Sequence, residues 1–309
     1  MSKRDRQGDG QSGRRTFVKG AALGLGAFMV PGIIGTRKAS AASAGESTID
    51  RIKRTGVFNL GAREADPPYG YVDKQGKHLG FSTEIAEKVC ERIEKELKLK
   101  LKINYTAVTG RTRIPLLLNN TIDMEAGATV ITKERIKVVD FSAPFFLSAT
   151  CMLVPASSPI RKLEDLSGKR IGGHRGGLEE MMYTKKLQAR FKSPVRFIGF
   201  ENHSEGFTAL QGGSIDAYSS DGPLMFGLQS KAPDPKKWLV IDPGVNTFAQ
   251  AFPIRENNST FANIIDLTLG EMCEDGSWQA LYKKYFVPTG MPEELDETLR
   301  FLLRLNTWS

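Results

Sequence analysis

The chain contains little histidine and little cysteine, with three residues of each among 309. No C-x-x-C pair occurs, and His78, His174 and His203 are isolated from one another in the sequence. Zinc sites and redox-active thiol pairs need such ligands at short spacings. The sequence therefore predicts no metal site and no cofactor.

The three cysteines, Cys90, Cys151 and Cys273, are an odd set. Export would permit a disulfide, and the sequence leaves open which pair, if any, forms one. Cys90 lies in an amphipathic helical pattern and Cys151 in an apolar strand pattern. We therefore expect buried free thiols.

Long apolar runs and excess charge are both missing from the body of the chain. After residue 44 no apolar stretch approaches the roughly 20 residues of a membrane-spanning helix. Of the formal charge of +8, residues 1–44 supply eight basic side chains against two acidic ones, so the remainder carries only +2. A nearly neutral body argues against a nucleic-acid partner.

The N-terminus explains the basic excess. Arg14 and Arg15 precede Thr-Phe-Val-Lys, an apolar run over residues 20–34 and a small-residue zone that ends near residue 44. This order predicts a cleaved signal peptide over residues 1–44, with the paired arginines typical of twin-arginine export. The alternative is a membrane anchor, for which the apolar run is short. We expect a periplasmic protein.

Strand and helix patterns alternate along most of the remaining chain. The alternation predicts an α/β fold with mostly parallel sheets covered by helices, and ligand sites in such folds lie beyond the carboxyl ends of the strands. Three arginines occupy such positions: Arg63, Arg113 and Arg135. Each taken alone suits a solvated loop. Together in one crevice they would select more than one carboxylate.

Residues 122–146 form a distinctive segment. A short strand ends in Gly127, Ala128 and Thr129, Arg135 follows, and D-F-S-x-P-F closes the segment at residues 140–145. This string resembles the extracytoplasmic amino-acid-binding proteins of ABC importers, solute-binding protein family 3. Further matching strings are I-x-x-L-x-D-L-x-G-K-x-I, L-x-x-G-x-x-D-A and G-x-W-x-x-L-Y-x-K-Y-F, at residues 160–171, 210–217 and 276–286.

The resemblance implies a two-lobed periplasmic-binding-protein fold of type II, whose lobes are joined by two crossing strands. The expected first lobe comprises residues 45–150 and 248–290, and the second lobe residues 151–247. Residues 291–309 would form an additional C-terminal helix whose docking the sequence leaves open.

The glutamate/aspartate binders of this family are the most similar group, because Gly61-x-Arg63-Glu64 and Arg113-Ile-Pro-Leu-Leu both match their pattern. The resemblance implies that Arg63, Arg113 and His203 bind the ligand's side-chain carboxylate. It implies that Arg135 binds the α-carboxylate, with Gly127, Ala128 and Thr129 beside it, and that Asp221 binds the ammonium group.

Two of these assignments have alternatives. Asp221 precedes a helical pattern and could serve as its N-cap, which would not exclude a role in binding. His203 could be purely structural. Gly177 and Leu178 open a helix after a Gly-rich turn, where backbone amides could complete the α-carboxylate site. A phosphate loop is not indicated there, because the Gly-Lys-Ser/Thr of Walker motifs is absent.

The chain also departs from the acidic-amino-acid pattern. Gly110 and Ala128 stand where serines are usual, and Gly177 and Leu178 replace a threonine pair. Each lost hydroxyl removes a hydrogen bond worth roughly 0.5–1.5 kcal/mol. Arg111 and His174 are additions that could bring positive charge to the crevice.

The sequence thus predicts a monomeric, non-catalytic protein that binds glutamate or aspartate and delivers it to an inner-membrane ABC permease. One alternative is an exported cyclohexadienyl dehydratase-like enzyme on the same fold, with Glu125, Glu179 or His203 as general acid. Another is delivery of the ligand to a sensor.

Overall fold

The computed structural model describes residues 45–307 and has the predicted α/β class. Two large sheets, called here the first sheet and the second sheet, are flanked by helices. The predicted signal peptide, residues 1–44, lies outside the described residues. Within residues 45–307 no helix combines the length and the hydropathy needed to cross a membrane.

The strands of residues 45–307 are numbered in chain order: β1 (Val57–Ala62), β2 (Ala65–Asp66), β3 (Gly70–Val72), β4 (His78–Leu79), β5 (Lys102–Ala107), β6 (Met124–Ala126), β7 (Asp140–Phe141), β8 (Phe146–Pro155), β9 (Arg170–His174), β10 (Arg196–Phe200), β11 (Ala217–Asp221), β12 (Trp238–Ile241), β13 (Thr247–Gln250) and β14 (Pro253–Ile254). The α-helices of the same residues are α1 (Thr48–Thr55), α2 (Phe81–Leu97), α3 (Arg113–Leu118), α4 (Leu178–Met181), α5 (His203–Gln211), α6 (Gly222–Ser230), α7 (Ser259–Glu274), α8 (Ser277–Tyr285) and α9 (Glu297–Asn306).

The first sheet has the strand order β5-β1-β6-β14-β7. Its strands β5, β1 and β6 run parallel, with Val57 opposite Lys102 and Leu60 opposite Met124. Strands β14 and β7 add to the other edge in antiparallel pairing. Because β1, β5 and β6 are parallel, their carboxyl ends lie side by side at the same end of the sheet.

The second sheet has the same plan. Its order is β10-β9-β11-β8-β12, with β13 also paired to β8. Strands β10, β9 and β11 are parallel, and β8 pairs antiparallel with its neighbours. Both sheets are therefore mixed, each with a parallel group of three strands. Strands β2, β3 and β4 form a separate small sheet.

Two stretches of chain connect the large sheets. One runs from β7 into β8 and the other from β13 into β14. These are the crossings that the sequence predicts, and the predicted boundaries at residues 150/151 and 247/248 fall within β8 and β13. The exact division of the chain into lobes stays a prediction.

Helix α2 packs against the first sheet, and its sequence shows why it forms a helix there. Ile85, Val89 and Ile93 recur at helical spacing and are fully buried, which matches one apolar face. The helix ends where Lys98 takes the left-handed conformation, with φ of 53°. At its start, Gly80 has φ of +131°, and a Cβ there would collide with the backbone of Tyr69.

The C-terminal helix α9 is docked on the body of the protein. Leu299, Leu302 and Leu303 are buried in the main hydrophobic core, and Asn306 Nδ2 donates to the carbonyl oxygen of Pro144 at 2.7 Å. The additional helix predicted for residues 291–309 is therefore present, and its apolar face is what anchors it.

The three cysteines are buried free thiols, as the sequence predicts. Burial raises the pKa of Cys90 and of Cys151 to about 12 and that of Cys273 to about 11. Because the thiolate is the reactive form, these side chains are chemically inert near neutral pH.

Candidate functional site

A cavity lies where the parallel strands of the two sheets end. It has a volume of about 40 Å³. One buried water needs at least about 10–15 Å³, so a solute the size of an amino acid fits only when the walls move apart. The lining residues are Arg63, Asp66, Arg113, Ala128, Val130, Arg135, His174, Gly177, Leu178, Glu179, His203, Ser220, Asp221, Leu224 and Phe248.

One larger groove in the described part of the chain differs from this cavity, because charged side chains on it form exposed ion pairs. The groove between α2 and α7 has a volume of about 510 Å³. Its charged side chains pair with each other at the surface, as in the bonds from Arg92 to Glu96 at 2.9 Å and to Glu271 at 2.7 Å. Such exposed pairs indicate a solvated face.

Three arginines from the first sheet line one side of the cavity, and we call Arg63, Arg113 and Arg135 the arginine wall. Arg63 follows β1 directly, Arg113 is the first residue of α3 after β5, and Arg135 opens a short 3-10 helix after β6. Because β5, β1 and β6 are adjacent and parallel, their carboxyl ends lie side by side. The fold thus brings together the three predicted arginines.

Each of the three nitrogen atoms of the Arg63 guanidinium contacts the protein. Its Nε donates to Asp66, its Nη1 donates to the carbonyl oxygen of Val108 at 3.2 Å, and its Nη2 lies 3.0 Å from Nε2 of His174. Burial opposes charge on both partners, but their attraction outweighs it, raising the pKa of Arg63 and lowering that of Asp66 to about 2. Because Asp66 already compensates the positive charge of Arg63, this arginine attracts a ligand carboxylate only weakly.

Arg113 is the opposite case. It is only 6% exposed, its Nε lacks a hydrogen-bond partner among the described residues, and Glu125 lies 3.9 Å away. Burial and the neighbouring Arg135 lower the pKa of Arg113 to about 9. A buried guanidinium with an unpaired donor is costly unless an anion completes it.

Arg135 reaches from the first sheet's edge to the other side of the cavity. Its Nη1 donates to the carbonyl oxygen of Val130 at 2.7 Å, and its Nη2 donates to that of Gly176 at 3.2 Å. Gly176 belongs to the turn after β9 of the second sheet. The side chain is half-buried, and burial lowers its pKa.

Two carboxylates from the second sheet line the opposite side, and we call Glu179 and Asp221 the acid wall. Asp221 is the last residue of β11 and the N-cap of α6, accepting from the N–H of Leu224 at 3.0 Å. Its other oxygen accepts from Nε2 of Gln250 at 2.8 Å. The predicted cap is present, and Asp221 faces the cavity as well.

Glu179 lies in α4 and is 5% exposed. Its carboxylate accepts from its own backbone N–H and is hydrogen-bonded by Ser220. Burial raises the pKa of Glu179 to about 7 and that of Asp221 to about 8, and the charge of Glu179 contributes to the rise at Asp221. The sequence placed Glu179 only among the acids of the enzyme alternative.

Both histidines at the cavity are neutral. Burial, followed by the charges around it, lowers the pKa of His174 to about 2, and burial lowers that of His203 to about 4. His203 Nδ1 lies 2.9 Å from the hydroxyl of Tyr218, and its Nε2 lies 3.9 Å from Asp66. The expected gain of positive charge from His174 does not occur.

His174 instead bridges the two sheets. Its Nε2 accepts from the N–H of Gly110 at 3.0 Å and its Nδ1 lies 3.3 Å from the carbonyl oxygen of Phe200. A Cβ on Gly110 would lie 2.6 Å from Nε2 of His174 and 2.6 Å from the carbonyl oxygen of Arg175. The glycine that replaces the usual serine is what allows this approach.

The small residues predicted for the site divide into two groups. Ala128, Gly177 and Leu178 line the cavity. Gly127 and Thr129 are not among its described lining residues; the hydroxyl of Thr129 donates instead to Glu125 at 2.7 Å. Thr129 therefore contacts Glu125, the acid beside Arg113, and direct contact of Gly127 and Thr129 with a ligand stays a prediction.

Sequence reasoning missed Asp66, Ser220, Val130, Leu224 and Phe248, all of which line the cavity. One signal for Asp66 was available. It follows Arg63 by three residues, and an arginine that is expected to be buried needs a counter-charge. No comparable signal marks the apolar residues.

Among residues 45–307 no cluster of histidine, cysteine and acidic side chains could hold a metal ion. The cavity offers guanidinium donors facing carboxylate acceptors, with a polar serine and apolar side chains between them. Such a pair of walls can hold a small solute that carries both negative and positive groups.

Comparison with known proteins agrees with this chemistry. The family of bacterial extracellular solute-binding proteins, family 3, matches residues 58–288. The chain belongs to this family. As a solute-binding protein it is not an enzyme, and the dehydratase-like alternative finds no support in the family assignment.

Relatives of this solute-binding protein are named for different amino acids. The L-glutamate/L-aspartate-binding protein of Pseudomonas aeruginosa is 33% identical over 81% of this chain and 83% of its own length. The glutamine-binding protein of Geobacillus stearothermophilus is 34% identical over 64% of this chain and 73% of its own. The crystal structure of a mutant ArgBP from T. maritima has a TM-score of 0.68 and 26% identity, and covers 77% of this chain and 99% of its own.

Proposed function

We propose that this protein binds an acidic amino acid of the glutamate/aspartate class between its two sheets and delivers it to an ABC importer. The relatives that are named for these two amino acids support the class of ligand. The observation that carries the proposal is the single cavity into which three separate strand ends of the first sheet direct three arginines.

The two walls suit the two kinds of charge on such a ligand. In this proposal Arg135 binds the α-carboxylate, and Asp221 binds the ammonium group. Arg113 is the main contact of the second carboxylate, because its Nε has no partner in the described residues. Arg63 and His203 flank that carboxylate and orient it.

Capture then requires movement of the walls. The ligand binds when the sheets are apart, and closing removes water from it, which strengthens each charge-assisted hydrogen bond. The hydrogen bonds from Arg135 to Gly176 and from Gly110 to His174 connect the two sheets when the site is closed. Residues 45–150 with 248–290, and 151–247, are the lobes that move in this proposal.

The cellular setting follows from the predicted signal peptide. We propose export through the twin-arginine route, removal of residues 1–44, residence in the periplasm as a monomer and docking on an inner-membrane permease. The family is extracellular by definition, which supports a site of action outside the cytoplasm.

Calorimetric titration of the mature protein tests the proposal. Glutamate, aspartate, 2-aminoadipate, glutamine and arginine are titrated separately under the same conditions. We expect binding of glutamate or aspartate in the micromolar range or tighter, which corresponds to about −8 kcal/mol or more. Binding of glutamine or arginine without binding of any acidic member would overturn the assignment.

A further inference from the structure

We propose that Glu179 is a specificity-determining residue, which recognises the ligand's ammonium group together with Asp221 and makes the site reject the deaminated form of its ligand. The proposal rests on the proposed function only in that the ligand is an amino acid. It assigns the amino-group contact to two carboxylates.

The position of Glu179 supports this role. It is almost fully buried, it lines the cavity, and its carboxylate folds back over Gly177. A side chain at Gly177 would collide with an oxygen of Glu179. The absence of a side chain at Gly177 lets the Glu179 carboxylate take this position.

The acceptor capacity of Asp221 is partly used. One oxygen caps α6 through Leu224 and the other accepts from Gln250. Glu179 is held by its own N–H and by Ser220. A carboxylate offers about four acceptor positions and an ammonium three donors, so two carboxylates with spare positions satisfy an ammonium better than Asp221 alone.

Titratable groups from both sheets surround Glu179. The charge of Glu179 acts on Asp221 and Tyr218 of β11 and on Tyr183, which lies in the short π-helical turn directly after α4. Arg135 and Arg113 face it from the first sheet. Two carboxylates brought together without water repel each other, and an ammonium between them removes that repulsion.

A ligand without the ammonium meets a different site. Its carboxylates still reach the arginine wall, but the acid wall is left uncompensated and faces additional negative charge. Sites built to bind an N–H group reject analogues that lack it by up to about 10⁴-fold. The alternative is that Glu179 serves only as the counter-ion of Arg135. In that role it would compete with the carboxylate of every ligand and would not distinguish an amino acid from its deaminated form.

Paired ligands and a matched control separate these roles. The dissociation constants of three pairs are measured by calorimetry: glutamate and glutarate, aspartate and succinate, glutamine and glutaramate. The proteins are the wild type, Glu179→Gln, Glu179→Asp and Glu205→Gln. Glu205 is an exposed acid in the first turn of α5, so its neutralisation controls for the loss of one charge in the second sheet's cover.

We expect the wild type to prefer the amino acid of its best pair by at least about 100-fold. In Glu179→Gln this preference should fall by at least about tenfold. The amino acid should bind more weakly, and its deaminated partner should bind as before or more tightly. Glu179→Asp should retain part of the preference, and Glu205→Gln should retain all of it.

Three results would overturn the role of Glu179. They are an unchanged preference in Glu179→Gln, an equal loss of affinity for both members of a pair, and an equal gain for both, which would mark a counter-ion of Arg135. If only the glutamine pair binds, the acidic ligand class fails while that pair still decides the role of Glu179. Binding of no pair by the wild type would overturn both proposals.

Discussion

The two walls of the cavity occupy equivalent places in two similar sheets and carry opposite charge. In the first sheet the parallel strands β5, β1 and β6 end at three arginines. In the second sheet β9 and β11 end at His174 and Asp221, with Glu179 five residues beyond the end of β9 and His203 after β10. The common topology fixes where a ligand binds, and the side chains at the strand ends fix which charges it must bring.

The arginine wall is itself uneven. Arg63 is neutralised by Asp66, whereas Arg113 has an unpartnered donor and Glu125 only at 3.9 Å. Both are buried, so the difference lies in their partners and not in their exposure. The three arginines therefore do not provide three available positive charges. Counting arginines in the sequence overestimates the number of ligand carboxylates that the site can bind.

The largest effect is expected from reversing charge on the arginine wall. Arg135→Glu would place a carboxylate where the ligand's α-carboxylate binds and remove the donors to Val130 and Gly176. Losing a desolvated charge pair costs about 2–5 kcal/mol, and repulsion adds to it. We expect glutamate to give no thermal stabilisation of this variant, as measured by differential scanning calorimetry.

Lys137→Glu is the control, because it makes the same charge change at an exposed residue of the same short helix. It should keep the ligand-induced stabilisation. Equal stabilisation of both variants would contradict the role of Arg135.

The second prediction tests whether Asp66 compensates the charge of Arg63, which would distinguish Arg63 from Arg113. Asp66→Asn would leave the buried guanidinium of Arg63 without its counter-charge, which we expect to lower the free energy of unfolding by about 3–5 kcal/mol. A dicarboxylic ligand should recover more stability in this variant than in the wild type, because Arg63 becomes available to it. Denaturant titration with and without glutamate measures both quantities.

Glu64→Gln is the matched control, an exposed acid two residues from Asp66. A small loss of stability in Asp66→Asn, similar to that of the control, would mean that Arg63 is not neutralised by Asp66.

The third effect concerns closing of the walls. Gly110→Ser restores the hydroxyl that is usual at this position, yet its Cβ would lie 2.6 Å from the carbonyl oxygen of Arg175. A main-chain atom cannot rotate away, so we expect a cost of about 1–3 kcal/mol in the closed state. Affinity should fall by about tenfold or more.

Gly212→Ser controls for the substitution, because this exposed glycine has no atom nearer than 3.5 Å to a built Cβ. Tighter ligand binding by Gly110→Ser would show that the lost hydroxyl matters more than the contact with His174 and Arg175.

The smallest effect is a pH dependence that originates in the acid wall. Burial raises the pKa of Glu179 to about 7 and of Asp221 to about 8, above the values of unfolded carboxyl groups. A raised pKa in the folded state contributes stability at low pH that is lost as the pH rises through the folded value. The loss falls between the unfolded pKa near 4 and the folded values, so we expect the ligand-free protein to lose at least about 1 kcal/mol, or about 2–4 °C in Tm, between pH 6 and 8.

Ligand binding should depend on pH in the opposite direction to the stability of the ligand-free protein. An ammonium favours the ionised acids, so the stabilisation by an amino acid should grow over the same pH range. A melting temperature that rises with pH in the ligand-free protein would contradict the raised pKa values.

Much of the fold could be predicted from the sequence, because its signals are local. The buried face of α2 follows from apolar residues at helical spacing, and Asp221 could be recognised as a helix N-cap from the pattern that follows it. The three arginines could be placed together because strand ends meet by topology alone. These features depend on residues near each other in sequence or on general rules of sheet construction.

What could not be predicted depends on packing between distant segments. The approach of His174 to Gly110 and the neutrality of both histidines follow from burial created by the second sheet. No spacing rule for a single segment contains this information.

The most direct measurement is the discrimination between glutamate and glutamine, which differ only in the second carboxylate. It is determined calorimetrically for the wild type and for Arg113→Gln. We predict that the wild type prefers glutamate by at least about 100-fold, and that the preference nearly disappears in the variant, because the unpaired donor of Arg113 is lost. A wild type that binds glutamine tightly and glutamate not at all would contradict the account.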